Sequence, residues 1–244
     1  MRQVWALIGG MLALAGCAAP VPPPPSMPQP VAMAPAQADP RLSVEVAARN
    51  FVTVVERVEP VAENACVALN GPGVDCDLQI VVVPDLEAPP NAFQTLDEAG
   101  RPVVGFTLAL IADARNADEL AFVLGHEAAH HIAGHIPRAG QQARVGALAG
   151  ILAAQAIGAD QGTAEQLGQV MGAVGARSYA KNYELEADRL GARIAWSAGY
   201  DPVRGARFFD RLPDPGDRFL GTHPPNAQRQ AQIAAEVARI QAGY

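Results

Sequence analysis

The chain has 244 residues, of which 50% are hydrophobic and 18% are charged, and its formal net charge is −7 with histidine neutral. This acidic balance argues against a nucleic-acid-binding protein and offers no basic patch for anionic lipid. Residues 41–244 are enough for one well-packed globular domain.

The N-terminus has the pattern of an exported bacterial lipoprotein. Arg2 provides a positive start, and residues 4–14 form an apolar segment that is too short to span a bilayer. Residues 14–17, Leu-Ala-Gly-Cys, resemble a lipobox, which implies cleavage before Cys17 and a lipid on that cysteine. Ala18 follows instead of an aspartate, and by resemblance to enterobacterial sorting this implies the outer membrane, facing the periplasm. An ordinary signal peptide with an incidental cysteine, or a short anchor, is the alternative.

A proline-rich stretch follows the lipobox. Residues 20–40 are rich in Pro, Ala and Gln, a composition typical of an extended, disordered tether. We therefore predict a lipoprotein signal peptide at residues 1–16, the lipidated cysteine and its tether at 17–40, and a globular domain at 41–244.

The first part of the domain is predicted to contain one helix and two strands. Residues 42–67 have the composition of a helix that Pro60 could break. Residues 78–83 and 102–111 are rich in Val and Ile and are predicted to be strands.

Two cysteines lie on either side of a turn-rich stretch. Cys66 and Cys76 flank residues 70–73, Asn-Gly-Pro-Gly. Because the periplasm is oxidising, a disulfide between them is favoured over two free thiols. Such a bond would close a small loop and stabilise the fold by about 2–3 kcal/mol.

Residues 126–130 read His-Glu-Ala-Ala-His, the H-E-x-x-H pattern of zinc peptidase helices. His126 and His130 are one helical turn apart on one face, so both imidazoles can bind the same zinc ion. Glu127 leaves the helix at a different angle and is predicted to be the general base that acts on water at the metal. The pattern is short enough to arise by chance, and a pair of surface histidines is the alternative.

The helix that carries this pattern is predicted to be buried, with Asp118 as its N-cap and Pro137 limiting its length. His131 lies off the ligand face, and His135 is one residue beyond a full helical turn from His130. Both are expected to be ordinary polar residues at the end of the helix, without a role in metal binding.

Residues 145–175 form an ambiguous stretch rich in Ala, Gly, Leu and Ile. Residues 145–157 contain no charge, but Gln155 and Asp160 interrupt the apolar run, which is too short for a membrane span. We predict two packed helices or a helical hairpin that covers the site. A glycine-rich segment that is simply mobile is the alternative.

A second helix, predicted at residues 177–197, carries acidic residues at helical spacing. Glu184 is predicted to be a third zinc ligand, which leaves the fourth position for water. Asp188, one turn further on, is predicted to accept a hydrogen bond from the outer N–H of a ligand histidine. Glu186 is expected to point elsewhere and to be solvated. Ordinary surface acids are the alternative, which the upstream H-E-x-x-H pattern weakens.

These motifs, in this order, resemble the HtpX and CAAX prenyl protease type of zinc metalloendopeptidase, in the gluzincin branch. The resemblance covers the chain from about residue 41 onward and depends on the ordered set, since each piece alone is weak. The pieces are Asn-Ala-Phe at 91–93, a strand at 101–110, the H-E-x-x-H pattern, Glu184-x-x-Ala187-Asp188, Gly191, Thr-His-Pro-Pro at 222–225, and Arg229.

The resemblance implies that His126, His130 and Glu184 bind one zinc ion per chain and that Glu127 is the base. It also implies that His223 lies near the metal. There His223 would either stabilise the oxyanion of the tetrahedral intermediate or occupy the open zinc position and keep the enzyme latent. A turn residue before a proline pair is the alternative for His223.

The predicted fold is α+β: a mainly helical, zincin-like metalloprotease domain at residues 41–244, with a small β-sheet beside the H-E-x-x-H helix. The predicted function is a zinc metalloendopeptidase, lipid-anchored to the outer membrane, that cleaves unfolded or misassembled envelope proteins in quality control. A chaperone-like assembly factor for outer-membrane proteins, with latent protease activity, is the alternative. A structural zinc lipoprotein is less favoured, because a structural site needs no base at Glu127.

Overall fold

The domain begins with a long helix, α1 (Val44–Asn70), whose N-terminus is capped by the side chain of Ser43. The structure is a computed structural model that describes residues 41–178, 180–214 and 224–243, all of them within the unit Ala38–Tyr244. Pro60 lies inside α1 and does not end it, so the helix continues three residues beyond its expected end. Its buried side chains recur at helical spacing and face the core: Ala47, Val54, Val58, Ala62 and Cys66.

The described strands form a mixed sheet with the order β1-β3-β2. The strands are β1 (Gln79–Val83), β2 (Ala92–Leu96) and β3 (Pro102–Thr107). β3 is buried between its neighbours, parallel to β1 and antiparallel to β2, which leaves β2 at an edge. β2 was not predicted as a strand.

The strand predicted at residues 102–111 is shorter than expected, because its last part is helical. Thr107 ends β3, and its hydroxyl accepts a hydrogen bond from the Leu110 N–H at 3.2 Å, which caps helix α2 (Leu108–Asp113). The same hydroxyl accepts a hydrogen bond from the Asn91 N–H at 2.9 Å. Thr107 therefore connects the start of β2 to the end of β3.

The helix with the H-E-x-x-H pattern, α3 (Ala117–Ile132), lies in the core and is buried along most of its length. Its N-cap is Asn116, whose side chain accepts a hydrogen bond from the Glu119 N–H at 3.0 Å. The prediction that Asp118 caps this helix was therefore wrong, and Asp118 lies in the first helical turn instead. An acidic side chain there is favourable beside the helix N-terminus.

Helix α6 (Ala180–Ser197) packs directly against α3. The two backbones meet at Gly125 and Gly191, where a Cβ on Gly125 would lie 2.7 Å from the Gly191 carbonyl oxygen. Only glycine permits this approach, and it brings the start of α6 close to the histidines of α3.

Between these helices the chain forms a hairpin of α4 (His135–Ala156) and α5 (Gln161–Arg177), which confirms the helical hairpin predicted at residues 145–175. No residue of this range lines the cleft described below, so its predicted position over the site stays a prediction. Glycines line the contact between the two helices, and a Cβ on Gly150 would lie 2.6 Å from the Leu167 carbonyl oxygen. Among the residues that the structure describes, no helix is long and apolar enough to cross a bilayer.

The last described elements are the short helix α7 (Pro202–Gly205), a 3-10 turn (Ala206–Arg211) and α8 (Asn226–Gln241), which packs against α6. The architecture confirms the α+β, mainly helical, zincin-like fold with a small sheet beside α3. Cys66 and Cys76 form a disulfide with a Cα–Cα distance of 5.7 Å.

Candidate active site

Three side chains from α3 and α6 converge on one point. The Nε2 atoms of His126 and His130 are 3.1 Å apart, because the two residues lie one turn apart on α3. Glu184, in the first turns of α6, brings one carboxylate oxygen to 3.6 Å from His126 Nε2 and the other to 3.4 Å from His130 Nε2. Two histidines and one glutamate therefore form a compact set of donor atoms.

These separations fit a divalent metal ion. Four ligands placed tetrahedrally at 2.0–2.1 Å from zinc lie about 3.3 Å from one another, close to the three measured distances. Two neutral imidazoles that direct lone pairs at each other across 3.1 Å repel unless a cation lies between them. The donor set is therefore that of a two-histidine, one-carboxylate metal site.

His126 is held from behind by a buried ion pair. Its Nδ1 lies 3.0 Å from an oxygen of Asp188, which is fully buried. Arg229, on α8, donates two hydrogen bonds to the same carboxylate, at 2.7 and 2.8 Å, and lies 4.0 Å from the centre of the Phe209 ring. The Asp188 contact expected from the sequence is present in this geometry.

At both His126 and Asp188, burial and the neighbouring charges shift the pKa in opposite directions. Burial disfavours a charged His126, but the hydrogen bond and charge of Asp188, with the charge of Glu184, outweigh it and raise the pKa of His126. Burial would likewise raise the pKa of Asp188, but hydrogen bonds from Arg229 and His126 lower it. Asp188 therefore remains a carboxylate that can accept the His126 Nδ1–H.

His130 is held by a different group of side chains, which the sequence analysis did not identify. Its Nδ1 lies 2.8 Å from Nδ1 of His135, the first residue of α4. The His135 Nε2 lies 3.2 Å from a Glu186 oxygen, and Arg138 donates to that oxygen at 2.8 Å. Burial and the nearby His130 lower the pKa of His135 to about 4.

These contacts correct two expectations. His135 is not an ordinary polar residue at a helix end, since it is buried and only 4% exposed. Glu186 is not simply solvated, since it is partly buried and paired with His135 and Arg138. His131 does lie away from the metal cluster, with its Nε2 2.6 Å from the Asp75 carbonyl oxygen.

The donor set opens into a cleft of about 610 Å³, and Glu127 lines this cleft beside both histidines. One wall is the segment from Pro90 to Gln94, which includes the start of the edge strand β2. The rest of the lining is largely apolar and includes Leu110, Phe122, Val123, Phe208, Phe209 and Leu212. The cleft therefore places a carboxylate, the metal ligands and the edge strand of the described sheet around one space.

Two predicted site residues, His223 and Cys17, lie outside the described residues, as do all residues of the predicted signal peptide and tether. The roles of Arg229 and His135 were missed. His135 was missed because a continuous helix was assumed, whereas Gly134 has a left-handed conformation (φ 65°) that redirects the chain. That glycine, with Pro137 three residues later, was the available sequence signal.

Comparison with known proteins finds matches among peptidases. The model for peptidase family M48 matches residues 53–237. The beta-barrel assembly-enhancing protease of Escherichia coli (strain K12) is 32% identical over 137 residues, which cover 50% of this chain and 28% of that protein. The protein of the same name from Yersinia pestis is 33% identical over 130 residues, 48% of this chain and 26% of its own length. The chain thus spans well under a third of these relatives.

Proposed function

The chain belongs to peptidase family M48 and is a metallopeptidase, and on this premise we propose that it is a zinc endopeptidase of unfolded or misassembled envelope proteins. The observation that carries the proposal is the convergence of His126, His130 and Glu184 at one point of a cleft that Glu127 also lines. A structural metal site would need neither the cleft nor a further carboxylate beside the ligands.

In this proposal His126, His130 and Glu184 hold one zinc ion per chain, and Asp188 fixes the orientation of His126. When bound, zinc supplies a Lewis acid that polarises the peptide carbonyl and acidifies water. The HtpX and CAAX protease type of site, which the ordered motifs resemble, has this ligand set. The family membership implies a metal, and the nitrogen and oxygen donors support zinc.

Glu127 is the proposed general base. Its carboxylate takes a proton from the attacking water and then delivers it to the nitrogen of the leaving amine. His223, in the segment that precedes α8, is proposed to lie near the metal and either stabilise the oxyanion or close the site.

The edge strand β2 is the proposed binding site for the substrate backbone. An extended peptide can pair with its free edge through main-chain hydrogen bonds, which give affinity with little dependence on side chains. Such binding favours an unfolded segment, because an extended chain that belongs to no sheet has unpaired main-chain groups and can enter the cleft. This supports unfolded or misassembled proteins as the substrate class.

The envelope location is proposed from the N-terminus and from the relatives. Residues 14–17 resemble a lipobox, so we propose that lipid on Cys17 anchors the chain to the outer membrane, facing the periplasm. The names of the matched relatives, beta-barrel assembly-enhancing protease, support a role in the envelope. They also favour the second candidate, a chaperone-like assembly factor for outer-membrane proteins that cleaves rarely, with His223 capping the metal.

Cleavage of an unfolded protein such as casein by the full chain tests the proposal. Wild type is compared with Glu127→Gln, which keeps size and hydrogen bonding but removes the base, and with wild type treated with a zinc chelator. We expect Glu127→Gln to slow cleavage by about 10²–10⁴-fold while zinc content stays unchanged. Cleavage that survives both treatments would contradict the zinc-peptidase proposal. No cleavage by zinc-loaded wild type would favour the assembly factor instead.

A further inference from the structure

His135 lies where a metal-binding histidine needs support. It follows Gly134, whose left-handed conformation turns the chain between α3 and α4 and returns the first residue of α4 toward the site. His135 is 4% exposed, and its Nδ1 lies 2.8 Å from Nδ1 of His130. A buried histidine so close to the outer nitrogen of a ligand must share one proton with it.

The possible proton arrangements reduce to one. If His130 binds metal through Nε2, its proton is on Nδ1 and is donated to His135. His135 Nδ1 then accepts, its own proton is on Nε2, and Nε2 donates to Glu186 across 3.2 Å. The reverse arrangement would place a proton of His130 at the metal position and turn a lone pair of His135 toward a carboxylate.

The ring of His135 is held in place by α6. It stacks on Tyr183 with the ring centres 4.5 Å apart and an interplanar angle of 19°. Arg138 lies 4.6 Å from the centre of the same tyrosine ring and donates to Glu186. Since Tyr183 and Glu186 flank Glu184 on α6, one segment positions both the third ligand and the partner of His135.

We propose that His135 is a positioning residue of the metal site, which with Glu186 fixes the proton and the orientation of His130. The inference rests on the metal site of the proposed function and extends it to two residues outside the ligand set. The Glu186 carboxylate thus supports His130 through His135, whereas the Asp188 carboxylate contacts His126 directly. Loss of such supporting contacts typically weakens metal binding by about 10–100-fold.

Two substitutions at position 135 separate positioning from packing. His135→Phe keeps an aromatic ring that can stack on Tyr183 but offers no acceptor to His130. His135→Asn loses the ring but places a carbonyl oxygen near the position of Nδ1. His131→Asn is the matched control, because the His131 Nε2 contacts the backbone carbonyl of Asp75, away from the metal cluster.

Zinc affinity of the full-length chain is measured by competition with a chromophoric chelator, and thermal unfolding of the zinc-free protein reports folding separately. We expect His135→Phe to weaken zinc binding about 10–100-fold, His135→Asn to weaken it much less, and His131→Asn to leave it unchanged. Stronger zinc binding by His135→Phe than by His135→Asn would overturn the inference and assign His135 to packing. Equal affinity in wild type and His135→Phe would overturn it too, with the proposed metal site intact. A wild type that binds no zinc would overturn both.

Discussion

Each of the two histidines in the metal cluster is supported by an ion pair between a carboxylate and an arginine, but the two ion pairs differ in how deeply they are buried. On one side, Asp188 and Arg229 hold His126, and their side chains are 0% and 8% exposed. On the other side, His135 connects His130 to an ion pair of Glu186 and Arg138, whose side chains are 39% and 46% exposed. The contacts of each ligand histidine therefore lead to a carboxylate that is paired with an arginine, but only one of these two ion pairs is buried.

This difference separates two effects of an ion pair. A buried pair that loses one partner leaves an uncompensated charge in the core, so the stability of the fold depends on it. An exposed pair is screened by water and contributes about 0–1 kcal/mol. We therefore expect the His126 side to link metal binding to folding, and the His130 side to affect metal binding with little effect on folding.

Arg229→Leu is the strongest way to break the buried side. The substitution removes the only arginine that hydrogen-bonds Asp188 among the described residues and leaves that carboxylate buried. We expect a loss of about 3–5 kcal/mol in the free energy of unfolding, measured by urea denaturation of the zinc-free protein. Arg229→Lys is the control, since it keeps the positive charge without the bidentate hydrogen bonds and should lower the free energy of unfolding less. Equal stability of Arg229→Leu and wild type would contradict the role assigned to burial.

Gly191→Ala tests the backbone contact on the buried side. An added Cβ would lie 2.7 Å from the His126 backbone nitrogen, so α6 must move away from α3. We expect a loss of about 1–3 kcal/mol in the free energy of unfolding, together with weaker zinc binding, because Glu184 moves with α6.

Gly140, on α4, provides the matched control for that change. A Cβ there meets nothing within 4 Å, and the residue lies inside a helix without a positive φ. Gly140→Ala should therefore stabilise the protein by about 0.4–1 kcal/mol, because alanine lowers the conformational entropy of the unfolded chain. If both alanine variants changed stability equally, the close contact of α3 and α6 would not be the reason that residue 191 is a glycine.

Local helical spacing explains which parts of the site were predictable. His126 and His130 share a face because they are four residues apart in α3, and Glu184 and Asp188 share a face of α6 for the same reason. The mainly helical fold with a small sheet was predictable from composition, since runs of helix-forming residues alternate with two runs rich in Val and Ile. These features depend on residues within one element, which a sequence displays directly.

Features that depend on how elements meet were not predictable in the same way. His135 reaches His130 only because Gly134 adopts a left-handed conformation, and Arg229 reaches Asp188 only because α8 packs on α6. The strand β2 was missed because its five residues become a strand by pairing with β3. Asn116 and Asp118 are both good N-caps, and the structure alone distinguishes them.

Glu186→Gln and Asp188→Asn make the same chemical change on the two sides, from a carboxylate to an amide of equal size. At Glu186 we expect a change in the free energy of unfolding of about 1 kcal/mol or less, because the ion pair is exposed. Zinc affinity should still fall, though less than in His135→Phe, because the glutamine carbonyl can accept from His135.

At Asp188 the same exchange removes the charge that Arg229 contacts at 2.7 Å and leaves that arginine facing the Glu184 carboxylate at 3.4 Å. Both stability and zinc affinity should therefore fall, because a buried ion pair is lost and Arg229 then competes with zinc for Glu184. Urea denaturation of the zinc-free proteins and zinc competition measure the two effects separately. Equal losses of stability in the two variants would mean that burial does not distinguish the two sides. If only Asp188→Asn lost zinc affinity, His135 would hold His130 without the help of Glu186.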